Sequence, residues 1–127
     1  MHLGQVPVSY LGCYREPYYS PVFYQVYLDY RYNINWGKLP DMSHVIQACA
    51  QEAVKRKYLY FAIKNYGQCS WGPHGLSISS RRVQVSWCYY GLGGPWVVSV
   101  YKIEKPTGKL ALSKFPSTIF AIDDERK

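Results

Sequence analysis

Two short stretches of the chain concentrate side chains suited to holding a ligand. Tyr66, Gln68, Trp71 and His74 follow one another closely, and Tyr89 and Tyr90 stand shortly before Trp96. Tyrosine and tryptophan offer flat apolar faces with a polar edge, while glutamine and histidine add hydrogen-bonding groups. That mixture suits a sugar ring, which presents CH groups on its faces and hydroxyls around its rim. If the two stretches meet in space, they make an aromatic platform. The chain holds 14 tyrosines, a residue that gives contact area at little entropic cost. A competing reading places Trp87, Trp96 and Tyr101 in the core and leaves only Trp71 and one or two tyrosines exposed. For Trp96 the core is favoured; for Trp71 site and core are evenly matched.

Catalytic chemistry finds less support. His2, His44 and His74 are scattered, and none has two further His, Asp or Glu ligands nearby, so no metal is expected. Nucleophilic catalysis needs a base and an orienting carboxylate beside a Ser or Cys, and carboxylates are few. Asp41 and Glu52 lie on or beside a helix, where capping and solvation account for them. Among Glu16, Asp29 and Glu104 nothing selects a pair for glycoside hydrolysis. The run Gly91–Gly94 precedes a strand and not a helix, which rules out a phosphate loop. The chain therefore reads as a non-enzyme without a cofactor.

The elements that must position these residues fit a single domain over residues 1–127, long enough to own a core. Fifteen Lys and Arg against eight Asp and Glu leave a net charge of +7, which favours acidic polymers over cationic partners. Lys55, Arg56 and Lys57 form the one basic triplet, and Asp123, Asp124 and Glu125 an acidic cluster. The first ten residues lack the basic and apolar regions of a signal peptide. No apolar run reaches the roughly 18 residues a membrane span needs.

The clearest helix follows Pro40. Asp41 is placed to cap it, and Val45, Ile46, Cys49, Ala50, Ala53 and Val54 recur at helical spacing. The basic triplet then meets the carbonyl end of the helix dipole, a structural role that outweighs a nucleic-acid site. Strands are expected over 8–14, 58–64, 82–88 and 96–103. In the second, Leu59, Phe61 and Ile63 alternate inward against Tyr58, Tyr60 and Lys64. Residues 22–32 have strand composition with tyrosines on both parities, which suits an edge strand or an ordered loop. A short strand is expected at 117–122.

Four cysteines, Cys13, Cys49, Cys69 and Cys88, are spread widely with no CxxC pair, so a zinc knuckle or redox turn has no local support. An even count without that spacing points to two disulfides and an oxidising, extracellular setting. The order LGCYRE at 11–16, IQACAQEAVKRKYLYFAIKNYGQCSWGP at 46–73 and CYYGLGGPWVVSVYKI at 88–103 resembles a group of small secreted invertebrate modules related to WSC and PAN/apple-like domains. The resemblance spans about 10–103 and leaves 104–127 as an extension. It implies an α+β fold, one main helix on a mostly antiparallel twisted sheet, in an extracellular recognition module that binds carbohydrate.

A helix followed by a strand and turn makes Cys49–Cys69 the natural local bridge and leaves Cys13–Cys88, a pairing to which the resemblance also points. The shorter loop contributes roughly 3 kcal/mol in the chain-entropy model. The expected ligand site is Tyr66, Gln68, Trp71, His74, Tyr89 and Tyr90. A second class competes: a basic, tyrosine-rich adhesive or mineral-matrix protein that binds acidic extracellular polymer. Nucleic acid ranks third, because secretion argues against it.

Overall fold

A computed structural model of the chain describes residues 5–16, 21–73 and 84–104. The expected strand at 117–122 and the 105–127 part of the extension lie outside the described residues. Five strands form one antiparallel sheet: β1 (Val8–Arg15), β2 (Gln25–Asp29), β3 (Tyr60–Lys64), β4 (Gln68–Trp71) and β5 (Val97–Ile103), in spatial order β1-β5-β3-β4-β2. One helix, α1 (Ser43–Lys55), packs against it, so the domain is α+β with two disulfides.

The helix forms where its apolar spacing directs it. Val45, Cys49, Ala50, Ala53 and Val54 are buried, and the small alanines let the backbone approach the sheet. Asp41 sits two residues before the first helical turn, and its Oδ1 accepts the Ser43 N–H at 2.9 Å. Hydrogen bonding from the Ser43 side chain, and then from its backbone N–H, holds the Asp41 carboxyl below its usual range. At the other end Arg56 pairs with Glu52 at 3.0 Å and lies 5.6 Å from the centre of the Tyr27 ring. Of the basic triplet, Lys55 thus stands in the last helical turn and Arg56 at its C-cap.

The face of the sheet toward α1 carries Phe61, Ile63, Cys69, Tyr101 and Ile103 in one buried cluster. Cys49 and Cys69 join helix to sheet across this layer, and Cys13 and Cys88 join β1 to a segment 75 residues later. Tyr27 stands in the same layer and donates its hydroxyl to the Cys49 carbonyl at 2.9 Å. Its burial raises the phenol well above its ordinary range, as burial also does for Tyr101.

Strict alternation in β3 is corrected. Ala62 is as buried as Phe61 and Ile63, because the opposite face has its own cover of Tyr14, Val22, Phe23, Val98 and Val100. The stretch 22–32 resolves into the edge strand β2 and a 3-10 turn at Arg31–Asn33. The expected strand at 82–88 does not form over its described part, 84–88. There the chain makes one bridge from Gln84 to Tyr14 and a hydrogen bond from Val85 N–H to the Cys13 carbonyl. Cys88 must reach Cys13 from that path, and Trp87 is left exposed with the Arg15 guanidinium 5.2 Å from its ring centre.

Candidate functional site

Three segments converge at one end of the sheet. The β3–β4 connection, Asn65–Tyr66–Gly67, receives its support from backbone groups on both sides. Tyr66 N–H donates to the Gly93 carbonyl at 2.7 Å, and Tyr30 N–H donates to the Gly67 carbonyl at 2.8 Å. Asn65 and Tyr66 both adopt left-handed backbone, with φ of 49° and 69°. Such conformations cost free energy in non-glycine residues and persist where neighbours over-determine them. Gly93 permits the contact: a Cβ there would lie 2.4 Å from the Ile63 carbonyl oxygen.

The segment after Cys88 turns back on itself, with Tyr89 and Leu92 exchanging backbone hydrogen bonds at 2.7 and 3.0 Å. Leu92 is fully buried in the helix-side core and anchors the turn, while Tyr89 and Tyr90 stay exposed. The third contributor is a 3-10 turn, Trp36–Lys38, capped by the Asn35 side chain, which accepts the Gly37 N–H at 3.0 Å. The Asn35 N–H in turn donates to His44 Nε2 on α1 at 3.0 Å. The His44 ring thereby fixes the Trp36 turn to the helix.

The result is a cluster of four exposed rings. Trp36 meets Tyr66 at 6.2 Å and Tyr89 at 6.3 Å between centroids. Tyr66 and Tyr89 are edge-on at 6.5 Å, and Tyr89 and Tyr90 at 4.6 Å. Trp36, Tyr66 and Tyr89 enclose an open hollow of about 250 Å³. The four rings are 39–53% exposed, which leaves part of each open to a ligand.

Of the residues expected at the site, Tyr66, Tyr89 and Tyr90 are brought together. Gln68 is not with them: β4 is a strand and not a turn, and its alternation sends Gln68 to the face away from Cys69 and α1. Its Oε1 accepts from the Asn65 amide at 2.7 Å. Trp71 shares the parity of Cys69, packs on the helix-side core, and stacks on Tyr58 at 4.6 Å with an interplanar angle of 11°. It is a half-buried packing residue, remote from Tyr66 in the contacts it makes. His74 lies outside the described residues. Trp96, expected in the core, is 62% exposed, because a left-handed φ of 64° turns it out of the strand that follows. Trp36 was missed. Its signal was modest: an aromatic between Asn35 and Gly37 in a segment without clear periodicity.

Among the described residues no group of three or more His, Cys, Asp or Glu could hold a metal. No helix among them is long and apolar enough to cross a membrane. No protein-family model and no curated protein matches the chain.

Proposed function

We propose that the chain is a non-enzymatic extracellular recognition module, of the WSC and PAN/apple-like kind, that binds carbohydrate on the Trp36, Tyr66, Tyr89 and Tyr90 platform. The observation that carries this reading is the convergence of four exposed rings on a support of left-handed turns, glycine contacts and a helix-anchored 3-10 cap. Contiguous exposed aromatics mark interaction surfaces, and a sugar's CH face is a partner that suits them. Loops on a rigid scaffold are where binding groups concentrate. Two disulfides with no free cysteine among the described residues suit an oxidising compartment.

Trp36 is the ring to test. It is 42% exposed, so its removal spares most of the core. One ring contact contributes about 1 kcal/mol, and Trp36→Ala should weaken saccharide binding about fivefold by calorimetric titration with the melting temperature little changed. Equal affinity in the two proteins would remove the platform from the reading.

A further inference from the structure

On the face of the sheet away from α1, beside the β3–β4 turn, lies a cleft of about 370 Å³. Ligand pockets span roughly 300–1,000 Å³, so this one suits a single small ring. Its polar lining is Glu16, Lys64, Asn65 and Gln68, and its aromatic lining is Trp96.

The polar groups are fixed before any ligand arrives. Glu16 is 5% exposed, and its Oε2 accepts the Val22 and Phe23 N–H groups at 2.8 and 2.9 Å. Its Oε1 lies 3.6 Å from Lys64 Nζ, and that ammonium donates to the Phe23 carbonyl at 2.6 Å. The Asn65 and Gln68 amides hold each other. Trp96 is set by its own carbonyl, which accepts the Glu16 N–H at 2.8 Å. A tryptophan at φ 64° is strained where a glycine would be relaxed. Strain of this kind gathers at functional sites.

The charge balance selects the ligand. Glu16 and Lys64 cancel, so an anion drawn to the ammonium would also face the carboxylate, and a cation would meet the reverse. A carboxylate, an ammonium and two amides around an aromatic wall match the hydroxyls and CH face of an uncharged sugar. We infer that this cleft is a second carbohydrate subsite, which takes one neutral, polyhydroxylated ring, with Trp96 against its face and Glu16, Lys64, Asn65 and Gln68 reading its hydroxyls. The inference rests on the carbohydrate reading of the platform and extends it to the opposite side of the Asn65–Gly67 turn. It departs from the polyanion preference that a net charge of +7 suggests.

The test is an amide-resolved NMR titration of the oxidised protein with neutral methyl glycosides of glucose, galactose and mannose, at low and high salt, beside methyl glucuronide. Trp96→Gly is the variant of choice, because glycine accepts the left-handed backbone, and its melting temperature is measured beside the parent's. The expected result is saturable shifts at 64, 65, 68 and 97 that do not change with salt. In Trp96→Gly those shifts weaken at least tenfold while shifts at 36, 66 and 89 persist. Silent cleft amides beside a responding platform would overturn the subsite and leave the platform standing. Cleft shifts of equal strength in Trp96→Gly, or a stronger, salt-sensitive response to the glucuronide, would overturn it as well. No response at either place with any saccharide would overturn the carbohydrate reading together with the subsite.

Discussion

Replacing Glu16 should damage this domain more than any surface carboxylate would. The carboxylate is buried, its Oε2 satisfies two backbone N–H groups, and Lys64 stands 3.6 Å from Oε1. Those two N–H groups belong to Val22 and Phe23, and Phe23 is fully buried over β3 and β5 on the second face of the sheet. Glu16→Ala therefore orphans two buried donors, at about 1–3 kcal/mol each, and leaves the Lys64 charge without its counterpart. Losing one partner of a buried pair typically costs about 3–5 kcal/mol, so a loss in that range is expected. Glu16→Gln keeps an oxygen for the two donors and removes only the charge, which should cost about 1–2 kcal/mol. A domain of this size has about 5–15 kcal/mol in all, so Glu16→Gln stays measurable even if Glu16→Ala barely folds. Urea unfolding with the disulfides intact gives the comparison, and a Lys64→Met partner closes a double-mutant cycle. The reasoning fails if Glu16→Gln is as stable as the parent, or if Glu16→Ala costs less than about 1 kcal/mol.

Trp71→Ala should cost about 2 kcal/mol of stability, less than a fully buried tryptophan because the ring is only half covered, and should leave saccharide affinity unchanged; a loss of affinity at constant melting temperature would return Trp71 to the site. Alkaline stability should be set by Tyr27 and Tyr101, whose phenols are raised in the folded state. Their contribution is complete below the unfolded value of about 10, and above it stability falls by about 1.4 kcal/mol per pH unit for each phenol, because the unfolded chain ionises first. Tyr27→Phe should make that fall shallower in denaturant unfolding at about pH 9 to 12, and an unchanged slope would contradict the assignment.

The helix was legible because its apolar spacing, its acidic start and its basic end all agree, and β1, β3 and β5 because their β-branched and aromatic runs are long enough to show a pattern. The four residues of β4 are too few for that, and Gly72 just beyond them reads as a turn. Its actual role is contact: a Cβ there would lie 1.7 Å from the Val22 carbonyl oxygen. The cover that buries Ala62 comes from Val22 and Phe23, distant in sequence, so nothing local to β3 announced it. Of the candidate site, the sequence offered Tyr66, Tyr89 and Tyr90 on two turns but left open whether the turns meet, which the Tyr66 N–H to Gly93 carbonyl bond decides. Trp36 and Trp96 did not follow, since one depends on a hydrogen bond to His44 and the other on a left-handed backbone that no neighbouring residue type demands.

On the proposed reading, aromatic faces, and not net charge, recognise the ligand. A glycan array probed with the oxidised protein at low and at high salt tests it most directly, since charge-driven binding is screened and stacking is not. The expected result is a restricted set of glycans whose signals survive high salt and weaken with Trp36→Ala. Binding confined to acidic polymers, lost at high salt and indifferent to Trp36, would contradict it and favour a basic matrix protein.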